Sequence, residues 1–192
     1  MPTKKPTSET QIYQLKITLK DFRPAIWRQV HVASTMSLET LHGVIQLAMG
    51  WTNSHMHQFK VGKTYYGTTY PDDFDGTTTT KDEGKVTVGE VLKKPKAKLV
   101  YEYDFGDGWE HEVVLEKILS PEAGVAYPRC ISGQRACPPE DCGGVWGYAN
   151  LLEALQDPEH PEHEELSEWL GDNFDPEAFA PERVNRALRR IR

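Results

Sequence analysis

The segment 130–144 gathers side chains that could bind a metal ion. It holds all three cysteines of the 192-residue chain and two adjacent carboxylates: Cys130, Cys137, Cys142, Glu140 and Asp141. Three thiolates and one further ligand make a closed tetrahedral zinc site, and the spacing here is looser than in common zinc motifs. Two alternatives stay open: reduced thiols packed as small apolar groups, or a redox pair. The carboxylates could do acid–base work, bind a cation or cap the helix that follows.

Histidines and carboxylates in predicted strands form a second group of candidate ligands. His55 and His57 lie two residues apart, so an extended backbone would direct both imidazoles to one face. A predicted hairpin adds further polar and aromatic candidates: Asp104, Asp107, Trp109 and His111. With the two strands as neighbours, three imidazoles converge and form one concave binding surface with the Glu140–Asp141 pair. The alternatives are a polar strand end and a turn that uses Asp and Gly for its geometry.

Hydrophobic periodicity predicts the elements that position these residues. The predicted strands cover 13–19, 26–32, 55–66, 99–105 and 109–118. A helix is predicted over 38–49, with Ser37 as its N-cap and Gly50 just after its end. Later helical patterns cover 146–155, 161–170 and 181–191. This order predicts an α+β fold: a mostly antiparallel sheet covered by helices, with a helical C-terminal third.

Length, charge and cysteine usage restrict the class of protein. We expect a single domain over 11–192 behind a disordered tail at 1–10, which is rich in Pro, Thr, Lys and Ser. A formal net charge of −7 argues against nonspecific binding to a phosphate backbone. Clustered cysteines, a polar N-terminal stretch and the lack of a long apolar run predict a reduced, cytoplasmic protein without a membrane span.

The last helical pattern is strongly basic, although the region before it is acidic. Residues 153–177 carry many carboxylates and neither Lys nor Arg. The basic side chains that follow include Arg183, Arg186, Arg189 and Arg190. Solvated helix faces and favourable charges at a helix end explain both regions. The alternative is that the arginines contact nucleic acid or an acidic partner.

Several motifs, taken together and in this order, resemble the Ri-plasmid ORF-3-like family. They are Pro24–Arg28, Leu41-His42 with Met49-Gly50-Trp51, Ser54–Phe59, Tyr103–His111, and Cys137–Gly144 with Gly147-Tyr148. The similarity covers residues 12–188. Members of this family are sometimes labelled insertion-element passenger proteins. The resemblance implies a single α+β domain and an association with mobile genetic elements. It carries no catalytic mechanism, so function has to be argued from the site.

Three functions follow from these patterns. The first is a cytoplasmic binding or adaptor module that uses the His55–His57 strand, the hairpin and the 138–144 loop to hold a protein or small ligand. The second is a metal-dependent hydrolase that uses His55, His57 and His111 with nearby carboxylates. The third is an accessory protein of a mobile element that contacts DNA through the C-terminal arginines.

Overall fold

The apolar alternation in the first two thirds of the chain forms one eight-stranded sheet. The computed structural model describes residues 10–68, 80–171 and 174–191. Its strands are β1 (Ile12–Leu19), β2 (Trp27–Ala33), β3 (His57–Val61), β4 (Thr64–Gly67), β5 (Lys81–Asp82), β6 (Lys98–Tyr103), β7 (Trp109–Leu119) and β8 (Arg129–Gln134). They lie in the order β5-β4-β3-β6-β7-β1-β2-β8. Neighbouring strands are antiparallel except β4 and β5, so the predicted mostly antiparallel sheet is confirmed.

Strand register places one apolar face of the sheet against the helices. Residues that pair directly across an antiparallel ladder project to the same face. Leu15 pairs with Val30 and with Leu115, and all three side chains are fully buried. The opposite face carries charged pairs such as Lys98–Glu112, whose side chains remain half-exposed. The sheet is therefore covered by helices on one face and has a polar second face.

The helices are α1 (Leu38–Met49), α2 (Val88–Val91), α3 (Gly144–Gln156), α4 (His163–Leu170) and α5 (Pro181–Leu188). Helix α1 begins and ends where predicted: Ser37 accepts the Thr40 N–H, and Gly50 has a left-handed backbone. The C-terminal third is less uniform than predicted because it opens with strand β8. Ser132 and Gly133 gave this strand little hydrophobic periodicity, and its pairing with β2 supplies the backbone partners.

Two further predicted regions are the N-terminal tail and the strand region 55–66. The tail at 1–10 falls outside them except for Thr10, which is exposed. The predicted strand region 55–66 divides into β3 and β4, which form a tight hairpin around Gly62. In the described ranges no helix is both long enough and apolar enough to cross a membrane.

Candidate functional site

Three loops meet at one end of the sheet, where β3 begins and β6 turns into β7. The Trp51 indole N–H donates to the Pro138 carbonyl at 3.1 Å, which joins the loop after α1 to the cysteine-containing loop. The Gly143 N–H donates to Asp107 at 3.1 Å, which joins the same loop to the hairpin. Gly144 has φ of +68°, and a Cβ there would lie 2.4 Å from the Asp107 carbonyl oxygen. The close approach of the two backbones therefore requires glycine.

The meeting of these loops brings one imidazole and three carboxylates together, a group we call the acidic rim: His55, Asp104, Glu140 and Asp141. His55 Nε2 lies 3.0 Å from Asp141 Oδ1, 3.6 Å from Asp104 Oδ2 and 3.8 Å from Glu140 Oε2. Within the described ranges, no lysine or arginine nitrogen lies within 4.0 Å of these carboxylates. The acidic rim therefore carries negative charge that one histidine can balance only in part.

Glu140 is held by the hairpin and by the loop after α1. Its carboxylate accepts the Thr52 N–H at 2.8 Å and the Thr52 hydroxyl at 3.0 Å. It also accepts the Tyr103 phenol at 3.2 Å, and burial raises the pKa of that phenol to about 12. The expectation that Glu140 or Asp141 caps the following helix is corrected, because Asp107 accepts the N–H of its N-cap residue Gly143. The carboxylate of Glu140 fixes two loops instead of a helix end.

Left-handed backbone conformations recur at the acidic rim and in the loop that precedes His55. Asn53, Asp104 and Asp141 have φ of +58°, +56° and +57°. Such conformations are uncommon outside glycine, and Asn and Asp tolerate them because their short side chains can bond locally. Asp104 does so: its Oδ1 accepts the Gly106 N–H at 2.9 Å. Backbone strain of this kind is typical of functional sites, where the surrounding packing maintains it.

A closed ring of hydrogen bonds fixes the loop that carries His55; we call it the polar ring. The Asn53 backbone N–H donates to Gln46 Oε1 at 2.9 Å, and Gln46 Nε2 donates to the Tyr101 oxygen at 3.0 Å. His42 closes the ring, with 2.8 Å contacts to Tyr101 and to Asn53 Oδ1. Because burial lowers the pKa of His42 to about 4, its ring is neutral. Its Nε2–H donates to Asn53, so Nδ1 accepts the Tyr101 proton.

His57 belongs to a different cluster from His55. Its Nε2 lies 2.9 and 3.0 Å from the two oxygens of Glu83, whose side chain is only 5% exposed. Its ring stacks on His42 at a centroid distance of 3.5 Å. Both residues nevertheless line one cleft of the protein, so the sharing of one ligand by His55 and His57 stays a prediction. Strand β3 begins only at His57, so the alternation of strand side chains does not extend back to His55.

Two further candidates lie inside the core. His57 and His111 do project from the same face of the sheet, as predicted, through the pairs His57–Tyr103, Tyr103–Trp109 and Tyr101–His111. However, Trp109 and His111 have no exposed surface. The expectation that their side chains line a concave surface is corrected, because α1 and the loop after it cover this part of the sheet. The three-imidazole centre of the hydrolase hypothesis is consequently not assembled.

A cleft of about 580 Å³ opens beside the acidic rim. Its described lining includes Glu39, His42, Asn53, His55, His57, Glu83 and Phe105. The polar ring and the His57–Glu83 pair make its polar side, and half-exposed Phe105 and exposed Met56 provide apolar surface. Among the described residues that line this cleft there is neither lysine nor arginine. The cleft is therefore acidic and partly aromatic.

The cysteines are free and lie outside the acidic rim. Cys130 is buried on β8, where its thiol contacts the Ser132 carbonyl oxygen at 3.6 Å. Burial raises the pKa of Cys130 to about 11 and that of Cys142 to about 12. In the described part of the chain, the potential metal-ligand group of three is His55, Asp104 and Asp141, and it includes no cysteine. This geometry favours thiols packed as apolar groups over a three-cysteine metal site.

The raised pKa values predict slow thiol chemistry in the native protein. A chromogenic disulfide reagent at pH 7.5 should modify Cys130 and Cys142 more than about 10-fold slower than a free cysteine, because the thiolate is the nucleophile. After denaturation without reductant, the same reagent should count all three thiols. Rapid native labelling, or a count of one thiol after denaturation, would contradict this expectation.

The C-terminal arginines are exposed along and just beyond α5. Arg183 and Arg186 lie on the helix, and Arg189 and Arg190 follow its last residue, Leu188. Buried Leu188 and the contact of α5 with β8 attach this helix to the sheet edge. The arginines lie on a different element from those that form the acidic rim and the cleft.

The main residues missed by sequence reasoning are Glu83, Asn53, Gln46 and Tyr101. Their partners are distant along the chain, apart from the contacts of Asn53 with Gln46 and with His42. Tyr101 carried a usable signal, because it shares strand parity with Trp109 and a buried phenol needs a partner. Glu83 carried none: a glutamate in a short polar segment is ordinarily a solvated side chain.

Comparisons with known proteins agree with one another. The sequence model of a family described as "Plasmid pRiA4b ORF-3-like protein" matches residues 11–183. An "Uncharacterized protein y4hQ" of Sinorhizobium fredii is 38% identical over 179 residues, which cover 92% of this chain and 90% of that protein. A crystal structure of a protein of unknown function, MM3350 from Methanosarcina mazei Go1, is 38% identical with a TM-score of 0.82. That match covers 91% of this chain and 98% of the other.

Proposed function

We propose, from the premise that this chain belongs to the plasmid pRiA4b ORF-3-like protein family, that it is a binding module for small amine ligands. The relatives described above carry names that state no function, so the proposal rests on the cleft. A volume of about 580 Å³ suits a small molecule, since such sites measure roughly 300–1,000 Å³. The observation that carries the proposal is the joint presence of carboxylates and an aromatic ring in this cleft.

Charge selects the ligand class. Glu39 and Glu83 line the cleft, and the neighbouring acidic rim adds Asp104 and Asp141. Because the described lining includes neither lysine nor arginine to pair with an anion, phosphate-bearing ligands are disfavoured. The negative electrostatic potential of these carboxylates attracts a positively charged ligand. A surface lined by one sign of charge also raises the association rate of such a ligand.

An aromatic side chain strengthens the preference for an amine. Phe105 lines the cleft and is 47% exposed, so its ring face is accessible. An ammonium or guanidinium group over such a ring gains about 0.5–1 kcal/mol at an exposed site. The polar ring holds the adjacent loop in place, which reduces the entropy cost of binding. We therefore expect Glu39 to contribute charge and Phe105 to contribute a cation–π contact.

Calorimetric titration with agmatine, in the presence of a chelator, tests this proposal. Agmatine should bind, and inorganic phosphate should not, because the cleft attracts cations. Phe105→Leu should weaken agmatine binding by roughly 2–5-fold, the equivalent of the cation–π energy. Glu39→Gln should weaken agmatine binding more than Phe105→Leu does, because it removes a negative charge from the cleft. Trp169→Leu is the matched control, since Trp169 is an exposed aromatic residue on α4, which carries none of the residues that line the cleft.

The outcomes separate amine recognition from general attraction to acidic surface. Binding that survives both cleft substitutions unchanged would refute the proposal. Equal affinity for agmatine and phosphate would also refute it, because the cleft would then have no charge preference. An association with mobile genetic elements and contact of Arg183 or Arg186 with nucleic acid remain predictions, and neither is needed for the binding module.

A further inference from the structure

We propose that His55, Asp104 and Asp141 form a binding site for a divalent transition-metal ion at the edge of the cleft. One donor atom from each residue lies within 4.8 Å of the other two. Ligands about 2.1 Å from a metal ion lie roughly 3.0–3.4 Å apart in octahedral or tetrahedral arrangements. The contacts of His55 Nε2 with Asp141 and Asp104, at 3.0 and 3.6 Å, are close to this range.

One of these donor atoms lacks the partner that a buried polar atom normally has. His55 Nε2 is buried without a hydrogen bond, since Asp141 Oδ1 lies near it but outside hydrogen-bonding geometry. The Asp104 side chain is only 10% exposed. Its described hydrogen bonds, from Gly106 and Asp107, both go to Oδ1. Oδ2 is therefore directed at His55 with its lone pairs available. A buried polar atom left unpaired is costly, and a cation at this point would satisfy His55 Nε2 while contacting Asp104 Oδ2.

The surrounding hydrogen bonds hold the donors in place before any ion binds. Two backbone N–H groups fix Asp104 through Oδ1, and the polar ring fixes Asn53, two residues before His55. Glu140, held by Thr52 and Tyr103, lies 3.8 Å from His55 Nε2 and can accept a hydrogen bond from metal-bound water. Supporting bonds of this kind orient metal ligands and raise affinity. Asp141, whose side chain is 69% exposed, leaves one side of the site open to solvent.

The donor set indicates which ions are suitable. One imidazole with carboxylate oxygens suits Mn²⁺ through Zn²⁺ in the first transition row, whereas Mg²⁺ and Ca²⁺ prefer oxygen ligands alone. The uncompensated carboxylates also provide the negative charge that a divalent cation neutralises. This site is tested separately from amine binding because its ligand is different, although His55 also lines the cleft and Asp104 and Asp141 add negative charge beside it.

Titration of chelator-treated protein with Zn²⁺, Mn²⁺ and Mg²⁺ tests the assignment. We expect one equivalent of Zn²⁺ or Mn²⁺ to bind, and Mg²⁺ to bind at least about tenfold more weakly. His55→Gln, Asp104→Asn and Asp141→Asn should each weaken binding by at least about tenfold, the loss that even an outer-shell change produces. Asn retains the Oδ1 acceptor of Asp104 and tolerates the left-handed backbone of Asp141, so both variants should fold.

Glu102→Gln is the matched control, because it removes one carboxylate from the adjacent strand β6 without touching the acidic rim. Equal losses in this control and in the rim variants would overturn the site in favour of general electrostatic attraction. Absence of stoichiometric binding would also overturn it. Co²⁺ provides a further test: a thiolate-to-metal charge-transfer band would assign the ion to the cysteines and refute the proposal. Failure of agmatine binding leaves all these readouts unaffected.

Discussion

Gly147→Ala should destabilise the protein by about 3 kcal/mol, within the range of severe overpacking. A loss of stability is unusual for this substitution, since replacing glycine by alanine in a helix interior ordinarily stabilises a protein by about 1 kcal/mol. Gly147 lies in α3, and a Cβ there would be 1.9 Å from the Cys142 carbonyl oxygen. The helix and the preceding loop would have to separate, which would also move Asp141 away from His55.

Gly43→Ala provides the matched control for this prediction. Gly43 is likewise interior to a helix, α1, but its Cβ would meet only Ile191 at an ordinary 3.6 Å. The higher helix propensity of alanine then decides the outcome, and we expect Gly43→Ala to stabilise the protein by about 0.5–1 kcal/mol. Denaturant unfolding of both variants measures the difference. Equal effects of the two substitutions would show that the Gly147–Cys142 contact does not constrain the backbone.

Acidification from pH 7.5 to 5.5 should reduce the free energy of unfolding by about 3 kcal/mol through two buried histidines. Burial lowers the pKa of both His42 and His111 to about 4, from an ordinary value of 6.5. Between these values the unfolded chain binds more protons, so acid favours unfolding. The contribution of the two neutral histidines to the free energy of unfolding is complete above about pH 6.5 and is lost as the pH falls towards 4. At pH 5.5 each histidine contributes roughly one pKa unit, or about 1.4 kcal/mol.

Burial is the main cause of both lowered pKa values, and the neighbouring groups act in both directions. His42 faces His57, which further lowers its pKa, and Glu83 compensates only in part. For His111, hydrogen bonds to the Tyr101 and Trp109 backbone raise the pKa against the effect of burial, Arg28 lowers it, and Glu110 raises it. Protonated His42 would also lose its acceptor for the Tyr101 proton, which breaks the polar ring.

Denaturant unfolding at the two pH values, for wild type and His111→Gln, tests this prediction. The variant should show a smaller pH dependence by about 1.4 kcal/mol, whatever its absolute stability. His160→Gln, which alters a partly exposed histidine outside the core, should leave the dependence unchanged. A wild-type stability that is constant from pH 7.5 to 5.5 would contradict the neutral, buried state of both rings.

Much of the local structure followed from the sequence, because it depends on neighbouring residues. Alternation of apolar side chains identified β1, β2, β6 and β7, and helical spacing with Ser37 and Gly50 delimited α1. Strand β8 was missed, since its residues carry little periodicity and its stability comes from pairing with β2. For the same reason the predicted helical C-terminal third did not include β8, because a strand that depends on cross-strand partners leaves little pattern in its own residues.

The candidate site divides in the same way. Residue types by themselves identified His55, Asp104, Glu140 and Asp141, because imidazole and carboxylate groups beside turns are typical of binding sites. Only the tertiary structure paired His57 with Glu83, buried Trp109 and His111, and grouped His55 with Asp104 and Asp141 apart from the cysteines. Those outcomes depend on where α1 and three loops pack on the sheet. Contacts between residues as distant as His57 and Glu83 are determined by that packing, and no spacing along the chain records them.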